Sequence, residues 1–168
     1  AILDILKAAA TVWIVKVASP NVWLHVLAPI AVILGHNYSI FLMERDPEGR
    51  VRLRGGAGGA AAGGGAFGLW PLAAFILVPL SLLIWYGIGY ASITTLSVGL
   101  ITIIIFTIRA ALGLGPWEYI IYGVLAEILL ILALRPNIRR LKDGTERRHG
   151  LPARLQQRKQ AERSNKNQ

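Results

Sequence analysis

Residues 55–68, GGAGGAAAGGGAFG, hold eight glycines, five alanines and a single phenylalanine, and the fold depends on whether they form a linker or a membrane helix. Ser, Asn and Pro, the usual company of glycine in linkers, are absent from the stretch. Gly55, Gly59 and Gly63 recur every four residues, as do Gly64 and Gly68. That spacing puts small residues on one helix face, where backbones pack closely in lipid. Around the stretch lie five apolar runs, 2–18, 22–41, 71–88, 91–108 and 116–134. The chain of 168 residues is 54% hydrophobic and only 16% charged, against roughly a quarter charged in soluble domains, and its mean hydropathy is +0.52. These values exclude disorder, a coiled coil and an ordinary soluble domain. The runs are continuous rather than alternating, which excludes a β-barrel. An all-α, polytopic transmembrane helix bundle is the fold class that remains.

Charge placement decides the crossing number. Eleven of 18 Lys and Arg fall between Arg135 and Lys166, against three acids, Asp143, Glu146 and Glu162. Four more, Arg45, Arg50, Arg52 and Arg54, lie in 42–54 beside Glu44, Asp46 and Glu48. Although the sequence pI is about 10.5, clustered Lys and Arg beside apolar spans mark the cytoplasmic side rather than a nucleic-acid surface, with some attraction to anionic lipid. With the basic tail inside, 109–115 falls outside, 88–91 inside and the Trp70-Pro71 turn outside. A membrane crossing by 55–68 then returns 42–54 to the inside, whereas a linker would strand its four Arg on the wrong face. Fourteen residues rise about 21 Å at ~1.5 Å each, short of the ~30 Å hydrocarbon core, so this helix is expected to sit among others. The expectation is six membrane segments, a cytoplasmic C-terminus, a membrane domain over 1–148 and a basic, flexible tail over 149–168. The chain opens at Ala1 inside an apolar helix with neither Met nor a basic leader, which reads as a fragment rather than a signal peptide.

Polar residues converge at the inner face. Asp4 and Lys7 are three apart on one helix and able to pair. Gly35-His36-Asn37-Tyr38 closes an apolar run where helix carbonyls lack partners. His36 is either an interfacial residue or a hydrogen-bonding and proton-transferring one, and without a second ligand at i+3 or i+4 it builds no zinc site. Arg54-Gly55-Gly56-Ala57-Gly58 opens the short helix. Bare backbone amides, a helix N-terminus and one Arg suit an anion such as phosphate, though the Gly-Lys-Ser/Thr ending of a nucleotide-binding P-loop is missing. Asn137-Ile138-Arg139-Arg140 and Gly144-Thr145-Glu146 follow the last span, where Arg140 either reaches a phosphate or simply stops transfer. Glu127 lies mid-span in the last helix. Cys is absent, which excludes disulfides, an iron–sulfur cluster and a thiol nucleophile.

In order and spacing these signals resemble the bacterial acyl-phosphate:glycerol-3-phosphate acyltransferases of the PlsY type. Asp4-Ile5-Leu6-Lys7 is similar to the family's D-x-L-K opening, and Gly35-His36-Asn37-Tyr38-Ser39-Ile40-Phe41 to its G-H-x-x-P-V-F element. Residues 54–58 are similar to its K-G-G-K-G segment, and Asn137 to Glu146 to its N-I-x-R-L-x-x-G-T-E tail. The resemblance covers about residues 1–148. It implies seven membrane helices, one of them upstream of Ala1, in the bacterial plasma membrane. It implies transfer of an acyl group from acyl phosphate to glycerol 3-phosphate, giving lysophosphatidic acid among membrane lipids without metal or cofactor. His36, Asn37, Asn137 and Glu146 become the catalytic candidates. Arg54, Gly55, Gly56, Gly58, Arg140 and Gly144 become the phosphate-binding ones, with Asp4 and Lys7 in support. Five departures stand against the pattern, one of them a 42–54 loop longer than the family's. The first family motif, a Ser-Gly-Asn loop, is not in this chain; Ala57 replaces the Lys of G-G-K-G; Ser39 replaces a Pro; and Leu134 replaces a His. A non-catalytic paralogue that binds phosphate or anionic lipid is the main alternative. A small-solute transporter is the other, and it predicts polar residues deep in several spans.

Overall fold

The computed structural model describes residues 2–45, 49 and 51–153, with only the backbone at 40–42, 44, 45 and 51–54. Helix α1, Ile2–Ala18, stops before Ser19-Pro20, where proline restricts the preceding residue to extended backbone. Helix α2, Val22–Asn37, starts at Asn21, whose Oδ1 accepts from the Trp23 amide at 3.0 Å, satisfying one of the unpaired first-turn donors.

Beyond Asn37 the structure departs from the apolar pattern. The run to 41 was expected to stay helical and 42–54 to be a polar loop. Instead β1, Ser39–Arg45, pairs antiparallel with β2, Val51–Arg54. Ile40, Phe41, Leu42 and Met43 suit a strand as well as a helix, and Gly49 supplies a positive φ of 76° between the strands. The membrane-type helices therefore carry a two-stranded ribbon, which qualifies the all-α expectation at this one place. Asp46, Pro47, Glu48 and Arg50 lie outside the described residues.

Of the Gly/Ala stretch expected to be one short membrane helix, residues 59–68 are helical, and 55–58 form a turn ahead of them. Helix α3, Gly59–Leu69, buries Ala61, Ala62, Gly64, Gly65, Ala66, Gly68 and Leu69 and packs against α1, α2 and the later helices α4 (Ala74–Gly87), α5 (Ala91–Ala111) and α6 (Glu118–Ala133). Three of its glycines are needed for close contact with neighbouring helices. A Cβ at Gly64 would collide with the Ile5 backbone, one at Gly65 with the Tyr122 hydroxyl, and one at Gly68 would come within 2.8 Å of Val12 Cβ. Two polar contacts hold the buried backbone. The Tyr122 hydroxyl donates to Ala62 O at 2.6 Å, and Lys16 Nζ donates to Gly68 O at 3.1 Å and Leu69 O at 2.7 Å. The lysine thus places a cation on the negative end of the helix dipole.

A 3-10 turn, Pro71–Ala73, joins α3 to α4. Helix α7, Arg135–Lys142, follows α6 at a bend of 65°, with Pro136 in its first turn where a missing N–H is tolerated. Among the described residues, α5 alone is long and apolar enough to cross a membrane, and the bent α6–α7 pair passes the same test jointly; α2 and Pro71–Gly87 are shorter apolar helices. The sequence sets the flexible tail at 149, yet His149 stacks on Trp85 at 4.8 Å and its amide donates to Gly89 O at 2.7 Å. Residues 154–168 lie outside the described residues.

Candidate functional site

A groove of about 660 Å³ runs along α3 between α1, α4 and α5. At one end it is polar, lined by Asp4, His36, Gly58, Gly59, Thr94 and Thr95; towards the other it is lined by Gly63, Phe67, Ala74, Leu77 and Val78.

At the polar mouth three of the expected residues meet. Lys7 Nζ lies 2.8 Å from Asp4 Oδ1 and 3.2 Å from His36 Nδ1, while His36 Nδ1 is 3.4 Å from the same carboxylate oxygen. One ring nitrogen faces both a donor and an acceptor. As a neutral ring with a bare Nδ1, His36 accepts from the ammonium; with a proton there, it donates to Asp4. The cluster thus serves either state of the ring. Helix spacing sets it up: Asp4 and Lys7 share a face of α1, and His36 sits in the last turn of α2.

The 55–58 turn is built on the end of α2. The Gly56 amide donates to His36 O at 3.1 Å. A Cβ at Gly55 would strike the carbonyls of His36 and Asn37; one at Gly56 would strike the His36 ring. Gly58 has φ +79° and lies against Asn37 Oδ1, so glycine is required there both by backbone conformation and by space. Asn37 is buried at 4% exposure. Its Nδ2 donates to Leu129 O on α6 at 3.4 Å, and its Oδ1 has no hydrogen-bond partner among the described residues. Asn37 therefore wedges the turn against α6. Beyond Gly58, the amides of Gly59, Ala60 and Ala61 precede the first intrahelical bond, Ala62 N to Gly58 O at 2.8 Å. Gly59 and Ala60 line the groove. Unpaired amides at a helix start suit an anion. Ala57 lines the groove as well. Arg54 ends β2 opposite Ser39, and its side chain lies outside the described residues.

The second expected arm lies elsewhere. Arg140 and Gly144 are exposed and Asn137 half-buried; none of them lines the groove. Among the described residues no hydrogen bond or ion pair joins them to the 55–58 turn. Glu146 has a definite partner. Its Oε2 accepts from the Ser92 hydroxyl at 2.5 Å and its Oε1 from the Ser92 amide at 3.2 Å. A carboxylate thereby caps the start of α5 from a distant segment, where the helix dipole favours it. Nearby, Arg148 Nε donates to the Tyr90 hydroxyl at 2.6 Å. The segment after α7 thus clamps the turn between α4 and α5, and α5 carries Thr94 and Thr95 into the mouth.

Sequence reasoning missed the walls. Thr95, Ser81 and Phe67 have no motif, and neither has Ser92, the partner of Glu146. The only available signal was Gly59, Gly63 and Phe67 at i, i+4 and i+8.

Residues 1–144 match the family model for glycerol-3-phosphate acyltransferase. A glycerol-3-phosphate acyltransferase of Thermus thermophilus is 31% identical over 150 residues, covering 89% of this chain and 69% of the relative. Glycerol-3-phosphate acyltransferase 2 of Moorella thermoacetica is 34% identical over 128 residues, and there the chain spans 58% of the relative's length. Two crystal structures of PlsY (YgiH), an integral membrane glycerol 3-phosphate acyltransferase, superpose with a TM-score of 0.66 at 30% identity. They are the lysophosphatidic acid form and the glycerol 3-phosphate form, of which this chain covers 72% and 70%.

Proposed function

The chain belongs to the glycerol-3-phosphate acyltransferase family, and on that premise we propose that its groove binds acyl phosphate and glycerol 3-phosphate and joins them into lysophosphatidic acid. The observation that carries the reading is the groove's two-part character: a mouth with Asp4, His36 and the start of α3, continued by an apolar trough along the same helix. One substrate has that character too, a phosphate on a fatty chain.

The chemistry needs positioning more than a nucleophile. The glycerol 1-hydroxyl attacks the acyl carbonyl, the carbonyl–oxygen bond to phosphate breaks, and the departing phosphate takes the electron pair and the hydroxyl proton. The amides of Gly59 and Ala60 offset charge on the acyl phosphate. Lys7, Asp4 and His36 orient the second substrate at the mouth. Arg54 supplies the charge that Ala57 lacks. Gly55, Gly56 and Gly58, held by Asn37, give the turn its shape. Asn137, Arg140 and Gly144, which do not line the groove, belong to the segment through which Glu146 acts on α5.

In this reading α1 to α6 are six membrane segments. The basic clusters, the mouth and the C-terminus lie at the cytoplasmic face of a bacterial plasma membrane, with residues 1–148 as the catalytic domain ahead of the basic tail. The test is transfer to labelled glycerol 3-phosphate by the intact protein in lipid nanodiscs. Acyl phosphate should yield labelled lysophosphatidic acid and inorganic phosphate in equal amounts. Bound phosphate without product would overturn the reading in favour of a non-catalytic relative.

A further inference from the structure

We infer that Phe67 sets the length of acyl chain the groove accepts, an inference that rests on the acyl-transfer reading of that groove. The face of α3 turned to the groove carries Gly59, Gly63 and Phe67, which stack one above another at i, i+4 and i+8. The glycines leave the floor bare. At Gly59 an added Cβ would meet Thr95 at 2.8 Å, and at Gly63 it would meet only Val98, at 3.6 Å. Four residues further on, the same face ends in a phenyl ring.

That ring is held in place. It stands edge-on to Trp13 of α1, with centroids 5.4 Å apart and planes at 69°. Helix α4 leads away from the turn after α3, so Ala74 and Leu77 lie at the level of Phe67, while Ser81 and Leu82 lie nearer Thr94 and Thr95. No described residue of α3 beyond Phe67 lines the groove. From Gly59 to Phe67 the helix rises about 12 Å at ~1.5 Å per residue. An acyl chain that starts with its phosphate at the amides of α3 thus runs over two glycines and meets an aromatic stop. Each methylene before the stop exchanges lipid for an equally apolar groove and changes little. A methylene past the stop must overlap the ring or bend the chain out of the groove, which costs binding.

The experiment measures kcat/KM for saturated acyl phosphates of graded length, offered in competing pairs to the intact protein in nanodiscs. For the unaltered protein kcat/KM should stay level up to a breakpoint and then fall, by about 5- to 150-fold for a chain that overruns the stop. In Phe67→Ala the breakpoint should move to longer chains, so that a chain two carbons beyond the old limit regains most of that loss. Phe67→Leu, a milder change if the alanine variant folds poorly, should move it in the same direction. Ala74→Phe, which fills the same level from α4, should move it to shorter chains. An unchanged breakpoint in the Phe67 variants, with transfer intact, overturns the inference and leaves the acyl-transfer reading standing. Absence of transfer at every length overturns that reading instead, and groove occupancy then judges the stop. Acyl phosphates brominated at the terminal carbon should quench Trp13 fluorescence more than those brominated at mid-chain, with Trp13→Phe as background. Equal quenching by the two overturns the inference.

Discussion

Two glycine-bearing segments look alike as sequence and differ in what their glycines do. In the 55–58 turn, glycine is required because other atoms occupy the space a Cβ would fill: the carbonyls of His36 and Asn37 at Gly55, the imidazole at Gly56 and the Asn37 amide at Gly58. After α7, Gly144 has nothing within 4 Å of its absent Cβ; only its φ of +69° favours glycine. The first segment is packed into the mouth of the groove. The second is a helix end exposed to solvent, and its neighbour Glu146 anchors α5. Phosphate chemistry was expected equally of both, and the geometry separates an arm that shapes the site from an arm that braces a wall of it.

The largest expected effect is at Gly55. A methyl there meets two backbone carbonyls, which cannot rotate away as a side chain does. Overpacking of this kind costs about 1–3 kcal/mol or more, and it falls on the turn that opens α3. Gly55→Ala should abolish acyl transfer and lower the unfolding midpoint of the purified protein. Near-normal activity would mean that the turn is free to move and that the contrast between the two arms is false.

Next in size is the cluster at the mouth. Asp4→Asn keeps shape and removes the charge that Lys7 and His36 face. A hydrogen bond to a charged group contributes about 1.5–3 kcal/mol, so kcat/KM should fall roughly 10- to 150-fold. Lys7→Met should bring a fall of similar size. The double variant should fall by less than the product of the two, because both changes break one network. Additive losses in kcat/KM would show that the two residues act separately.

A smaller effect separates the two roles open to Glu146. If it holds α5, Glu146→Ala and Ser92→Ala should each cost about 0.5–2 kcal/mol of stability, the range for losing a helix cap. Combined, they should cost little more than either alone. A residue that touched substrate would instead raise KM on its own, whatever occupied position 92.

The helices were legible where the chain is one-sided in character. Glycine spacing in 55–68 pointed to a helix with a packing face, and from Gly59 onward α3 has one, with Gly64 and Gly68 against α1. The end of α2 was not legible, because Ile40, Phe41, Leu42 and Met43 continue the apolar run and suit a strand equally well. Asp4, Lys7 and His36 could be placed at one membrane face from sequence, but their contact depends on how α1 packs on α2, which no motif states. The partner of Glu146 was hidden for a related reason: Ser92 lies 54 residues away, and a serine at a helix start is too common to stand out. The groove walls were least legible of all, since Leu77, Val78 and Val98 differ from lipid-facing residues only in which way they point.

The smallest effect gives the sharpest test of the contrast. Gly144 follows α7, and its left-handed conformation lets the amides of Thr145 and Glu146 bond back to Arg140 O at 2.8 and 3.1 Å. Gly144→Ala meets no atom and pays only for the left-handed backbone, about 1–2 kcal/mol. Asparagine tolerates that conformation better, so Gly144→Asn should restore most of the loss. Both variants should lower the unfolding midpoint slightly and leave KM for glycerol 3-phosphate within about twofold, since ~1.4 kcal/mol of binding would be needed for tenfold. The bonds to Arg140 place Glu146, so any change in rate should track the weakening of its hold on Ser92 and be absent when Ser92→Ala is already present. A phosphate resting on residue 144 would reverse the pattern: asparagine would be as harmful as alanine, KM would rise by an order of magnitude, and stability would hardly change.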